Sequence, residues 1–160
     1  MRLRNANLDD AAILYKIETA CFPANQAASL ETLTKRLQAF PQHFWIIEHQ
    51  EEIVGFINGM VTDNTTIKDE MFKNVDLHNE NGQWQSVFGL AVSPEHQNQG
   101  YAGILIKHLI ASAQKRKLKG IILTCEKHLI PYYLKFGFVN MGLSGSAHGG
   151  DTFYDMKIEV

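Results

Sequence analysis

The stretch from Trp84 to Gly103 has the residue spacing with the clearest chemical meaning. An apolar run through Val87, Phe88, Leu90, Ala91 and Val92 leads into the polar turn Ser93, Pro94, Glu95, His96. The turn leads into Gln97, Asn98, Gln99, Gly100, Tyr101, Ala102 and Gly103, at the entry to an amphipathic helix. A helix N-terminus turns three or four N–H groups outward with no acceptor in the helix, and its dipole favours an anion. Strand, turn and helix start are therefore the parts of a phosphate cradle. Small residues at 100, 102 and 103 let the backbone approach a ligand closely. The same glycines also suit tight strand–helix packing with no ligand, and the spacing alone leaves both readings open.

Two common phosphate loops are excluded. There is no Gly-x4-Gly-Lys-Ser/Thr and no Gly-x-Gly-x-x-Gly on an early strand. The 160 residues suit one domain spanning 1–160 with a proper core. A net charge of −2 argues against an extended nucleic-acid surface, though not against a local basic pocket. No apolar run approaches the ~20 residues of a membrane span, so neither nucleic acid nor membrane is an expected partner. No signal peptide is evident at Met1, so Cys21 and Cys125 read as free thiols of a cytoplasmic protein. No Cys/His cluster has metal-ligand spacing, so no metal is expected.

The elements that must position this stretch follow from periodicity and breakers. Residues 1–5 read as a first strand. Asn7 reads as a helix N-cap, and Ala12, Ile13, Ile17 and Ala20 recur at helical spacing until Pro23. Ser29 caps a second helix carrying Leu30, Leu33 and Leu37. Residues 44–47 and 53–61 form an antiparallel hairpin, whose glycines Gly55 and Gly59 suggest a bulge or a close approach. Residues 62–83 are polar and poorly periodic, which suits either a functional or a disordered loop. The helix after Gly100 should end at the basic run Lys115 to Lys119, with Gly120 as terminator. Residues 121–125 form a buried strand parallel to the one before the helix. A short helix near 130–135 and a final antiparallel pair complete the order βααββ, βαβ, αββ. This is an α/β chain with one mixed sheet flanked by helices.

With Leu90, Ala91 and Val92, the loop Gln97-x-x-Gly100-x-Ala102 and Tyr133 ahead of Phe136-Gly137-Phe138 in that order, the chain resembles a GNAT-type acetyl-CoA-dependent N-acetyltransferase over nearly its whole length. The resemblance implies acetyl-CoA as co-substrate. It implies that the strand Leu90, Ala91, Val92 runs along the cofactor, with Leu90 and Val92 holding the pantetheine arm through their main chain. It implies that the loop from Gln97 through Asn98, Gln99, Gly100, Tyr101, Ala102 and Gly103 binds the pyrophosphate, and that the two core strands splay apart to admit the cofactor. Within the family the pattern is most similar to the arylalkylamine branch. That likeness rests on Cys125 to Tyr133, on the long loop before Trp84 and on Thr152 to Met156. The animal enzymes of that branch carry two histidines on the strand before the phosphate loop. This chain has Ser86 and Phe88 there, so that proton-relay role does not carry over.

Acetyl transfer to an amine needs a deprotonated amine, a polarised thioester carbonyl and a proton for the departing thiolate. A lysine-like ammonium titrates near ~10.4 and a thiol near ~8.5, so an acceptor and a donor of protons both help. Tyr133 is the candidate acid, and packing is its alternative role. A backbone N–H near Leu90 is placed to polarise the carbonyl. Glu126, at a strand end, is a candidate base, and an ordinary strand-end carboxylate is the alternative. Ser86 is a candidate for ordering a water. Glu18 is a further candidate if the first two helices flank the cleft, but a solvated helix residue otherwise. Phe22 and Pro23 would wall the acceptor site, with Phe88, His148 and the loops 62–84 and 144–150 completing it.

The expected function is acetyl transfer to a primary amine of a small molecule, by direct attack in a ternary complex. The alternatives are a protein or peptide N-terminal acceptor, or a non-catalytic acyl-CoA sensor. An edge strand or the C-terminal hairpin is compatible with a homodimer.

Overall fold

The structure is a computed structural model, and it describes residues 1–146 and 150–160. The chain forms two compact units, one from residues 1–59 and 89–106, the other from 60–88 and 107–160.

The first unit holds a four-stranded sheet with α1 (Ala11–Cys21) and α2 (Leu30–Ala39). Its strands β1 (Arg2–Asn5), β2 (Phe44–His49), β3 (Glu52–Asn58) and β6 (Gly89–Val92) are antiparallel neighbours in that order. Local chemistry sets the helix entries as the sequence predicts. Asn7 accepts from the Asp9 N–H, and the Asp10 carboxylate reaches back to the Asn7 N–H. Ser29 Oγ accepts from the Thr32 N–H at the head of α2. The β2–β3 turn places Gln50 and Glu51 at φ 51° and 62°, the paired positive angles of a tight hairpin. Gly55 is the predicted close approach, because a Cβ there would stand 2.8 Å from the Ala91 carbonyl.

The inward face of α1 differs from the one through Ala12, Ile13 and Ala20. Ala12, Ile13 and Ala20 are exposed, while Leu14, Ile17 and Glu18 are buried and Cys21 packs against the core. On α2, Leu30 is exposed and the buried row is Leu33, Arg36 and Leu37. Leu14, Ile17, Leu33, Leu37, Phe44, Ile46 and Phe56 make the core between helices and sheet.

The second unit holds a five-stranded sheet in the order β4 (Val61–Thr62), β5 (Trp84–Val87), β7 (Gly120–Cys125), β9 (Tyr154–Glu159), β8 (Val139–Leu143). β5 and β7 are parallel, and the other neighbours are antiparallel. The helix α3 (Tyr101–Lys115) lies between β6 and β7 in the chain, and α4 (Ile130–Leu134) between β7 and β8. The element order is the expected one, except that two expected strands are each divided, 53–61 into β3 and β4 and the run before α3 into β5 and β6. The single mixed sheet divides in two. Residues 84–87 pair with β7 and residues 89–92 pair with β3, so no residue of the run 84–92 bridges both ladders, and the division falls at Phe88.

One open reading is narrowed and one expectation is corrected. The loop 62–83 is ordered, with 3-10 turns at Asp69–Phe72 and Val75–Leu77. Ile67 and Phe72 join Trp84 and Ile122 in a buried cluster. The end of α3 is made by Lys117 rather than Gly120. Lys117 adopts φ 60°, its N–H reaches the Gln114 carbonyl and the Leu118 N–H reaches that of Ala113, the bonding of a Schellman cap. Gly120 instead begins β7, where a Cβ would lie 1.9 Å from the Ile158 carbonyl and 2.8 Å from the Trp84 ring. Gly120→Ala should therefore destabilise the protein by at least ~2 kcal/mol, since backbone and an indole must both shift. Urea unfolding measures this, and an unchanged midpoint would show that β9 yields freely.

Candidate active site

In the first unit, β6 is the last strand of its sheet, so one of its edges carries no ladder. An antiparallel pair turns alternate residues toward the partner strand. The Ser93 N–H donates to the Val54 carbonyl at 2.8 Å, which fixes the parity. Ala91 and Ser93 face β3, and the main-chain groups of Leu90 and Val92 point to the open edge. The Val92 carbonyl is taken by two side chains, Gln97 Nε2 at 3.0 Å and Cys21 Sγ at 3.1 Å. Gln97 thus ties the loop to the strand. Burial, and then the neighbouring Glu18, push the Cys21 thiol up against the opposing effect of its bond to Val92.

Beyond β6, Pro94–His96 form a 3-10 turn, and His96 Nδ1 lies 2.8 Å from Ser93 Oγ. Asn98 and Gly100 take φ 63° and 89°. A Cβ at Gly100 would meet nothing within 4 Å, so the positive φ, not crowding, is what selects glycine there. The helical bond from the Ile104 N–H to the Gly100 carbonyl is 3.1 Å. The N–H groups of Tyr101, Ala102 and Gly103 precede it and have no acceptor within the helix. Asn98, Gln99 and Gly100 are exposed. The Tyr101 side chain is buried, with its ring 6.1 Å from that of His49, so only its backbone faces the helix mouth. Phe22 packs on the core, while Pro23 is exposed and its carbonyl accepts from the Gln26 and Ala27 N–H groups.

The second unit holds Ser86, Phe88, Tyr133 and Glu126. Ser86 is fully buried, and its hydroxyl donates to the Met60 carbonyl at 2.8 Å, which commits its one proton. Phe88 packs against Phe72, with ring centroids 5.1 Å apart. Tyr133 is 8% exposed, wedged edge-on between Tyr132 and Phe138. Burial, with smaller contributions from Cys125 and Tyr132, raises its phenol far above the ordinary value. Burial, then Glu126, raises the Cys125 thiol to about 11. Glu126 is half-exposed, 3.6 Å from His128. His78 is a tether: its Nδ1 accepts from the Val61 N–H, which leaves Nε2 as the donor to Glu80 at 2.9 Å. His148 lies outside the described residues.

Three polar residues of the first unit were legible only indirectly. Glu18 is 5% exposed and Asn58 1%, and Arg36 is buried with them. Glu18 Oε2 accepts from the Ala28 N–H at 2.9 Å, and Arg36 Nη1 donates to Asn58 Oδ1 at 3.2 Å. Burial, partly offset by the pull of Glu18, lowers the Arg36 pKa to about 10, so it stays charged at neutral pH. Of the two readings open for Glu18, a candidate near the cleft or a solvated helix residue, its burial removes the second. The signal against that is spacing: Leu14, Ile17, Glu18, Cys21 and Leu33, Arg36, Leu37, Phe40 are both i, i+3, i+4, i+7 rows.

An α/β chain with an open strand edge running into a glycine-bearing helix mouth carries the backbone parts of a phosphate-ligand site. Residues 11–138 match the acetyltransferase (GNAT) family, and the chain belongs to that family. It is 28% identical over 109 residues to the serotonin N-acetyltransferase of Mesocricetus auratus, covering 68% of this chain and 51% of that protein. The chain thus spans about half the length of that curated relative. Its fold matches the GphF GNAT-like decarboxylase, solved with isobutyryl-CoA, at a TM-score of 0.86 and 18% identity over 99% of both chains. It also matches the ribosomal-protein-S18-alanine N-acetyltransferase of Escherichia coli at a TM-score of 0.74 and 16% identity, over 99% of this chain and 93% of that one. No helix among the described residues is long and apolar enough to cross a membrane.

Burial raises the Glu18 carboxyl, and the Ala28 N–H and Arg36 oppose this without cancelling it. A carboxyl raised in the folded state contributes stability that is full below its unfolded pKa, near ~4.3, and is lost as pH rises through the folded value. Glu18→Gln removes that dependence. Its stability relative to the parent should improve as pH rises from about 4 to about 8. Parallel stability curves in denaturant would show that Glu18 does not titrate as its burial demands.

Proposed function

We propose that the protein transfers an acetyl group from acetyl-CoA to the primary amine of a small molecule, by direct attack within a ternary complex. The observation that carries this reading is the continuous run of main-chain groups on one segment. The open edge at Leu90 and Val92 offers alternating donors and acceptors to an amide-bearing arm. Nine residues after Val92, the N–H groups of Tyr101, Ala102 and Gly103 offer a seat for a pyrophosphate. In this reading Ala91 braces the strand against β3, Gln97 holds the loop to Val92, and Asn98, Gln99 and Gly100 form the exposed lip of the seat.

Direct attack is supported by the state of the thiols. Both cysteines are pushed up by burial, Cys125 to about 11, so neither offers a thiolate for a covalent acyl-enzyme. Tyr133 serves as the proton donor to the departing sulfur. Its raised phenol holds the proton throughout the physiological range, and a buried hydroxyl is a strong donor to an anion. Phe22 and Pro23 supply apolar surface to the acceptor. The likeness to serotonin N-acetyltransferase supports an arylalkylamine, whereas the fold likeness to the S18-alanine enzyme motivates including a peptide N-terminus in any acceptor panel.

Thiol release from acetyl-CoA in the presence of amines and peptides tests the reaction. Tight acetyl-CoA binding without turnover on any acceptor would instead point to a sensor. Gly100→Val should weaken acetyl-CoA binding by about tenfold or more, through strain at φ 89° and a side chain over the helix mouth. Gly142→Val carries comparable strain at φ 97°, also with no atom within 4 Å, and should leave affinity unchanged. Equal losses in calorimetry would reduce the Gly100 effect to strain alone. Tyr133→Phe should lower kcat by roughly 10²-fold or more with little change in acetyl-CoA affinity. A retained kcat would take Tyr133 out of the reaction.

A further inference from the structure

The reading above leaves the acceptor's proton without a destination. Ser86 has spent its hydroxyl proton on Met60, Phe88 is packed on Phe72, and Glu126 is half-exposed beside His128. The first unit offers a better-built group. Glu18 uses Oε2 on the Ala28 N–H, while Oε1, fully shielded from solvent, has no hydrogen-bond partner among the described residues. Asn58 uses Oδ1 on Arg36, which fixes the orientation of its amide, and its shielded Nδ2 has no partner either. Both atoms border the same place. A Cβ built on Gly89 would lie 3.3 Å from Asn58 Nδ2 and 3.7 Å from Glu18 Oε1.

Buried polar atoms left unpaired are costly, so two of them around one glycine call for a ligand that serves both. Oε1 needs a donor and Nδ2 needs an acceptor. An ammonium only donates, and an anion only accepts. A water satisfies both and keeps a lone pair for one more donor. Gly89 immediately precedes Leu90, the first residue whose main chain faces the open edge of β6.

We propose that Glu18 is the proton acceptor for the incoming amine, acting through a water held between its Oε1 and Asn58 Nδ2 at the Gly89 end of β6. This rests on the acyl-transfer reading above. The ammonium of the acceptor gives one proton to the water, and the water gives one to Oε1. The products are the free amine and a neutral Glu18 carboxylic acid, which returns its proton to solvent between turnovers. The amine lone pair then forms the C–N bond as the thioester C–S bond breaks; the nitrogen sheds its second proton and the departing thiolate takes one up, so the net release is the single proton carried by Glu18. Burial raises the carboxyl toward neutrality, which makes it a stronger base than an exposed glutamate. The charged and titratable groups that face it are Arg36 from α2 and Cys21 from its own helix. The strands β3 and β6 face it with the neutral Asn58 and Gly89. Arg36 keeps the carboxylate form accessible, and Asn58 is a positioning residue for the water.

The test pairs kinetics with crystallography on the full chain. With acetyl-CoA and the best amine of the panel, Glu18→Gln should lower kcat about 10²-fold or more and remove the acidic limb of the kcat profile. Gly89→Ala keeps Glu18 but puts a methyl against both orphan atoms, and should lower kcat with the KM for acetyl-CoA within about twofold. Glu31→Gln, at an exposed pair with Lys35, should change nothing. Glu18→Gln with kcat and pH profile intact would overturn the proposal while leaving acyl transfer standing. If the parent turns over no amine, the acyl-transfer reading fails first. A high-resolution crystal structure still decides the niche: a water within hydrogen-bond distance of Oε1 and Nδ2 supports it, and its absence refutes it.

Discussion

The ladder between β3 and β6 constrains the rest of this structure. It runs on one side of β6 only, and its parity is set by the Ser93–Val54 bond. Backbone donors and acceptors that face an open edge are costly unless something pairs with them. A natural edge strand is often blunted by charge, proline or a bulge. Here the edge is four residues long, Gly89–Val92, and one of its outward carbonyls is already claimed by Gln97 and Cys21. What remains is a short set of main-chain groups of fixed spacing. That spacing is insensitive to side-chain identity, which fits a cofactor arm that is itself an amide chain.

The same strand explains why the buried polar cluster lies where it does. Asn58 ends β3 and pairs in register with Gly89, the first residue of β6. Glu18 and Arg36 come from the inward faces of α1 and α2, which pack on that sheet. A buried charge pair is weak evidence for stability, because desolvation consumes most of the attraction. An apolar replacement of similar volume would serve the core equally well. Arg36 does something an apolar residue cannot: it fixes the Asn58 amide and lies close enough to bias the Glu18 carboxylate. The arrangement costs core stability and yields two oriented polar atoms at the head of the strand.

Local chemistry was legible in the sequence, and long-range sidedness was not. The caps at Asn7 and Ser29, the stop before Pro23 and the glycine-bearing entry to α3 follow from a few adjacent residues, and the structure has them where expected. The division at Phe88 depends on which distant strands pair on each side, and an apolar run looks the same whether it crosses one sheet or two. Lys117 at the helix end was obscured by Gly120, the more obvious terminator, whose glycine is required instead by the Ile158 carbonyl. The loop 62–83 looked polar because its anchors Ile67, Met71 and Phe72 are few, though each is buried. Glu18 and Arg36 were hidden by phase. Ala12, Ile13 and Ala20 offered a plausible face of α1, and only the stripe through Leu14, Ile17 and Cys21 exposes a glutamate at a core position.

That phase error bears on how the chemistry is distributed. With Ser86 turned to Met60 and Phe88 to Phe72, the strand before the phosphate loop is used for packing in the second unit. Of the ionisable groups on the helices, burial keeps the Tyr133 phenol on α4 neutral and raises the Glu18 carboxyl on α1. The two effects have one cause, exclusion from water, and both raise the pKa. Desolvation makes Glu18 the stronger base and Tyr133 the weaker acid, so the phenol keeps its proton across the physiological range.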